Sequence, residues 1–152
     1  MAKVDKIDQK ILSELSEDSS ISIPKLAEKI NANSSVVYSR IKRLLKNKLI
    51  ERFTIEVNDK KLGYGVKSLT GINMDSKQRD VVIEELFKIP GVREISEVTG
   101  RFDILVIMFA KNLPEMHLLI SEEIGKIQGI VSSESFIEMK RRKKQMPYMI
   151  DL

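Results

Sequence analysis

This sequence predicts an α+β chain of two modules, on three observations. Three stripes of apolar residues recur at helical spacing before residue 51. Charge is uneven: residues 1–61 carry 13 Lys+Arg against 9 Asp+Glu, whereas residues 62–152 carry 13 of each. From Val66 onward, alternating runs and helical stripes follow the order strand, helix, strand, strand, helix, strand.

The first stripe, Val4, Ile7, Ile11, Leu12 and Leu15, predicts a helix over residues 5–17 with Asp5 at its cap. Asp18-Ser19-Ser20 reads as a turn. Ser22 and Pro24 suit the N-cap and first turn of a second helix, whose Leu26, Ala27 and Ile30 face inward. Asn31-Ala32-Asn33 is the turn into a third helix, for which Asn33 is the N-cap.

That third helix organises the module. Val37, Ile41, Leu44 and Leu45 form a narrow stripe, and Ser35, Ser39, Lys42 and Lys46 fall opposite, with Tyr38 and Arg43 at the rims. Five basic residues and no acid lie between Arg40 and Lys48. Small polar residues near the helix start allow close approach to base edges, and the cations reach phosphates. Two short helices around a tight turn, the second of them basic, is the helix-turn-helix pattern. The candidate DNA-binding residues are Ser34, Ser35, Tyr38, Ser39, Lys42, Arg43, Lys46 and Arg52. Within this set Arg43, Lys46 and Arg52 are assigned to phosphates. The plainer reading is a basic, solvated helix. Alternation over residues 52–57 predicts a strand, the wing beside the third helix, and Asn58–Lys61 a turn.

In the second module, strands are expected at 66–74, 92–99, 104–110 and 130–139, with helices at 76–89 and 112–125. Val81, Val82, Leu86 and Phe87 are expected on the inner side of the first helix, and Leu113, Met116, Leu119, Ile120 and Ile124 on that of the second. This is the ferredoxin-like βαββαβ order, with helices on one face of the sheet only. The bare face must be covered, which predicts a homodimer or a ligand-bearing interface. The expected domains are 1–60, with wing and linker over 50–65, then 66–140, then a basic tail 141–152. A charge run at a chain end is usually solvated; contact with DNA or a partner is the sharper alternative for this one.

Composition excludes several classes. The chain has no cysteine, so neither disulfides nor thiolate metal sites are available, and its one histidine, His117, cannot alone supply a multi-histidine site. No run of 18 apolar residues exists, so no membrane span is expected. The polar start lacks the apolar core of a secretory signal, and the expected location is cytoplasmic. No nucleophile motif or phosphate-binding glycine loop accompanies His117, so no enzyme, metal or cofactor is expected.

Taken together, these residues resemble the leucine-responsive/asparagine-type (feast-famine) transcription regulators of bacteria and archaea, from about Val4 to Lys140. V-D-K-I-D-Q-K-I-L at 4–12 is similar to the family's start, L-A-E-K-I at 26–30 and R-I-K-R-L at 40–44 to its helix-turn-helix, and L-I at 49–50 to its exit into the wing. V-T-G-R-F-D at 98–103 is similar to its V-T-G-D-Y-D turn. There are three departures. Lys48 stands where the family has glycine, which predicts a different helix end; Ser20 replaces a common arginine; and Arg101 replaces an acid, reversing the charge of the turn.

The resemblance implies a winged helix-turn-helix domain reading double-stranded DNA and a second domain that dimerises and builds tetramers or octamers. It also implies a small effector, commonly an amino acid, held between dimers by Gly100, Arg101 and Asp103 of the turn and by Ser133 and Ser135 of the last strand. The plainer reading of Gly100 and Asp103 is an ordinary hairpin turn. Two other functions stay open: a nonspecific architectural DNA binder, and an amino-acid-binding module without gene-specific regulation.

Overall fold

The computed structural model describes residues 4–144, so residues 145–152 of the expected tail lie outside the described residues. The chain divides into two compact units. One runs to Glu56 and takes up the chain again from Arg142; the other is Val57–Arg141.

In the first unit, α1 (Lys6–Glu17), α2 (Ile23–Ile30) and α3 (Ser34–Lys46) enclose Ile11, Leu26, Ala27, Ile30, Val37 and Leu44. Burying each large aliphatic side chain of this set contributes about 1.5–3 kcal/mol. Asp5 caps α1 reciprocally. Its carboxylate accepts from the amides of Ile7 and Asp8, each at 3.0 Å, while the Asp8 carboxylate accepts from the Asp5 amide at 3.0 Å. Asn33 holds the N-cap position of α3 with extended backbone, but its side chain accepts no capping bond, contrary to expectation.

The end of α3 corrects a second expectation. Lys48 adopts φ 55°, and the chain closes there as it would around a glycine. The Leu49 amide donates to the Leu44 carbonyl at 2.9 Å, and the Lys48 amide to the Leu45 carbonyl at 3.0 Å. Two satisfied carbonyls and the burial of Leu44 outweigh the strain of a left-handed lysine, which costs roughly 1–2 kcal/mol.

Residues 51–58 form no strand, although the alternation predicts one. A strand requires a hydrogen-bonded neighbour, and no described segment pairs with this one. Phe53, Ile55 and Val57 stay exposed, and residues 49–56 border an open groove with Leu12 and Leu15 of α1.

The second unit is a four-stranded antiparallel sheet in the order β2-β3-β1-β4, with β1 Val66–Met74, β2 Val92–Glu97, β3 Ile104–Ala110 and β4 Ile130–Ile137. Even-numbered residues of β1 and β3 are directed to the helices, and Ile72, Met74, Ile104, Val106, Met108 and Ala110 are buried there. Odd-numbered residues, among them Leu69, Ile107 and Phe109, share the other face with Phe136, which pairs with Leu69.

α4 (Arg79–Lys88) follows a 3₁₀ turn and turns Val82 and Leu86 inward, with Ile89 just beyond its end. Val81 and Phe87, expected inside, are 56% and 57% exposed. At about 100° per residue they lie to opposite sides of the Val82–Leu86 line and cannot share its stripe. α5 (Leu113–Leu118) continues through a π turn, Leu119–Glu123, and a 3₁₀ turn, Ile124–Lys126. Met116 and Ile124 are both buried although eight residues apart, which exceeds two α-turns of about 7.2 residues. The wider π turn takes up the excess and returns Ile124 to the core side. Leu113, also expected inside, sits at the first helical position and is exposed.

Candidate nucleic-acid interface and effector turn

α3 presents an acid-free face. With Val37 and Leu44 buried, the face opposite them leaves Ser34, Ser35, Tyr38, Ser39, Lys42 and Lys46 exposed. The Lys42 ammonium lies 4.6 Å from the centre of the Tyr38 ring, so the two cover one patch. Asn33 caps none of the first-turn amides of α3, where the positive end of the helix dipole lies. Arg52 is exposed on the segment that leaves α3.

Arg43 has a partner within the unit. Its Nη2 donates to Asp8 Oδ2 at 2.5 Å, and the Asp8 side chain is wholly buried. Arg40 completes the group, bonded to Asp5 and, at 3.3 Å, to Asp8 Oδ1. Two arginines of α3 are thereby fastened to the start of α1, which fixes the roll of the helix and the direction of its exposed face. The signal lay in the sequence as two acids three residues apart beside a helix start, matching two cations three apart on a later helix.

The effector turn is assembled differently from the expected set. Gly100 adopts φ 143°, a conformation that suits glycine. Asp103 Oδ2 accepts from the Met74 amide at 2.9 Å, so this carboxylate ties the turn to the end of β1. Arg101 pairs with Glu134 at 2.9 Å, and its guanidinium lies 5.3 Å from the Phe102 ring centre. The Phe102 ring covers Gly71, where an added Cβ would stand 2.4 Å from Phe102 Cδ2. Ser133 and Ser135 do not join this group. Glu134, between them, faces Arg101, whereas Ser135 Oγ lies 2.9 Å from the hydroxyl of buried Thr70 on the helix side. Alternation along β4 sends the serines to the opposite face. Gly71, Phe102 and Glu134 were missed; a glycine inside a strand was their one sequence signal.

Comparison with known proteins decides the family. A family model described as Lrp/AsnC ligand binding domain matches residues 68–148, and one described as winged helix-turn-helix DNA-binding matches residues 4–51. The transcriptional regulator LrpA of Pyrococcus abyssi is 32% identical over 140 residues, covering 92% of this chain and 99% of that protein. The chain belongs to the Lrp/AsnC family.

It is a transcriptional regulator with a DNA-binding helix-turn-helix and a ligand-binding domain. Among other Lrp/AsnC relatives, the regulator FL11 of Pyrococcus furiosus is 29% identical, with 93% of each chain covered. Escherichia coli AsnC has the same fold, with TM-score 0.85, 22% identity, and coverage of 95% of this chain and 97% of that one. A transcriptional regulator from Neisseria meningitidis, solved as a complex with L-Met, superposes with TM-score 0.89 at 19% identity, covering 97% of each chain. His117 of this Lrp/AsnC chain is exposed on α5. Among the described residues no group of three or more His, Cys, Asp or Glu is placed to hold a metal, and no helix is long and apolar enough to cross a membrane.

Proposed function

We propose that this regulator reads duplex DNA through the exposed face of α3, as a dimer or larger assembly in the cytoplasm, under control of an amino-acid effector. The acid-free face of α3 is the observation that carries the proposal. Ser35, Tyr38, Ser39 and Lys42 address base edges, with Ser34 at the helix start. Lys46 and Arg52 bind phosphates, and Arg43 adds to them only what its bond to Asp8 leaves over. Leu69, Ile107, Phe109 and Phe136 on the open sheet face support pairing of the second units. Two recognition helices of a dimer then address half-sites about one helical turn apart.

Binding to a duplex selected from a random pool, set against a mixed-sequence duplex, tests this reading. Ser39→Ala with Lys42→Ala should erase the preference for the selected duplex. Lys46→Ala should weaken both duplexes alike and lower the salt slope by about one unit. Full discrimination retained by the double variant would rule out this helix orientation. Equal native affinity for both duplexes would favour an architectural binder instead.

The effector reading is a small amino acid against Gly100, Arg101 and Asp103, between subunits, with Ser133 and Ser135 a separate candidate pair on the helix-facing side of β4. The solved Neisseria regulator carrying L-Met supports an amino acid as the ligand class. Backbone amides suit a carboxylate, and Asp103, beside its bond to the Met74 amide, an ammonium. Calorimetry against the twenty amino acids is the measurement, with Asp103→Asn, which keeps an acceptor for the Met74 amide, as the comparison. Binding by the native chain and its loss in Asp103→Asn is the expected result. Heat from none of the twenty, or equal heat from both proteins, would remove this site.

A further inference from the structure

We propose that Arg142, Lys143 and Lys144 form a second, sequence-blind contact to the phosphates of duplex DNA, carried by the same unit as α3. The proposal rests on the reading that α3 binds duplex DNA. After β4 the chain is last held to the sheet at Glu138, whose amide donates to the Lys67 carbonyl at 2.8 Å and whose carboxylate pairs with the Lys67 ammonium at 3.0 Å. From Arg142 it belongs to the DNA-binding unit, where Lys143 Nζ lies 3.4 Å from Glu56 Oε2. The segment is thus delivered to the unit that carries α3.

Charge separates this segment from the module it follows. Residues 62–139 carry 8 Lys+Arg against 12 Asp+Glu, and the next five residues, 140–144, are all basic and all exposed. Residues 1–56 carry 11 Lys+Arg against 8 Asp+Glu, so the three cations from Arg142 double the positive excess of the DNA-binding unit. The Lys143–Glu56 pair is exposed on both sides, and such pairs are weak because water and salt screen them. It orders the segment and yields to a stronger anion. A duplex offers one phosphate charge per roughly 1.7 Å of axis, and lysine and arginine bind these without reading bases.

The test is the salt dependence of binding by the full chain to the selected and mixed-sequence duplexes. In the triple variant Arg142→Gln, Lys143→Gln, Lys144→Gln the log–log slope should fall by about 2–3 units on both duplexes. Between 50 and 200 mM salt the native affinity should therefore drop about fortyfold more than the variant's, while the preference for the selected duplex is kept. Glu56→Gln should tighten both duplexes several-fold by freeing Lys143. An unchanged slope in the triple variant would overturn the proposal, as would a loss confined to the selected duplex. Loss of binding to anionic lipid vesicles with the DNA slope unchanged would assign the segment to a membrane surface and overturn it equally. If the native protein binds neither duplex, the reading of α3 itself fails, which is a different result from native binding with an unaltered slope.

Discussion

Arg43 Nη2 and Asp8 Oδ2 stand 2.5 Å apart, joining the last turn of α3 to the first turn of α1 around a carboxylate with no solvent exposure. Removing the acid should cost more than removing either base. Asp8→Ala deletes both ion pairs and the capping bond to the Asp5 amide, and a loss of about 2–3 kcal/mol is expected. Arg43→Ala leaves Arg40 facing Asp8 and should cost about 1 kcal/mol. Urea denaturation of the full chain, with hydrogen exchange on the α1 and α3 amides, measures both. Equal losses would mean that the aspartate is not the shared centre.

Acid should loosen the same corner. The Asp8 amide, and then the Arg40 guanidinium, hold the Asp5 carboxyl below its usual range. At the far end of α1, the Ser20 hydroxyl and amide do the same for Asp18. A carboxyl depressed by folding adds stability above its unfolded pKa, and that stability disappears as pH falls through the folded value. The stability of the first unit should therefore decline progressively below about pH 4. Asp5→Asn keeps a capping acceptor without the titration, so its acid limb should be shallower than the native one. Superimposable limbs would exclude Asp5 as a source.

Relieving the left-handed lysine should stabilise the chain. Lys48→Gly removes a strain of roughly 1–2 kcal/mol and restores unfolded-chain entropy worth about half of that. A net gain of about 0.5–1 kcal/mol is expected, read as a higher urea midpoint at constant slope. A lower midpoint would show that the lysine side chain makes a compensating contact.

Gly71 and Phe102 should couple. Gly71→Ala puts a methyl into the ring and should cost about 1–3 kcal/mol, together with a displaced turn. Phe102→Ala should absorb most of that penalty in the double variant, giving an interaction term above 0.5 kcal/mol. Additive losses would argue that the ring does not rest on Gly71 in solution.

Most elements were legible because their periods are unambiguous: the stripes of α1 to α3 and the alternation of β1 and β3 need only local rules. Errors arose where the answer depended on something remote. The alternation over residues 52–57 is strand-like, yet pairing needs a second strand that local pattern cannot supply. Val81 is apolar beside inward Val82, and Leu113 opens an amphipathic stretch, but the phase of α4 and the start of α5 are set by the preceding turns. On α3, the exposed face followed from the buried stripe, whereas the bond of Arg43 to Asp8 was not readable because its partner lies 35 positions earlier. At the effector turn, the glycine and aspartate were readable, and the pleat that parts Ser133 and Ser135 from Arg101 was not.

The position of β1 inside the sheet, between β3 and β4, sets the order in which the chain can fold during synthesis. Every side chain of the helical core lies at or before Ile50, so that unit is complete early in synthesis. β1 must wait for β4, whose Ile137 pairs with Ser68, and until then one of its edges is bare. A chain that stopped between the two would carry a finished helical unit and a β1 with one edge open to any strand that met it.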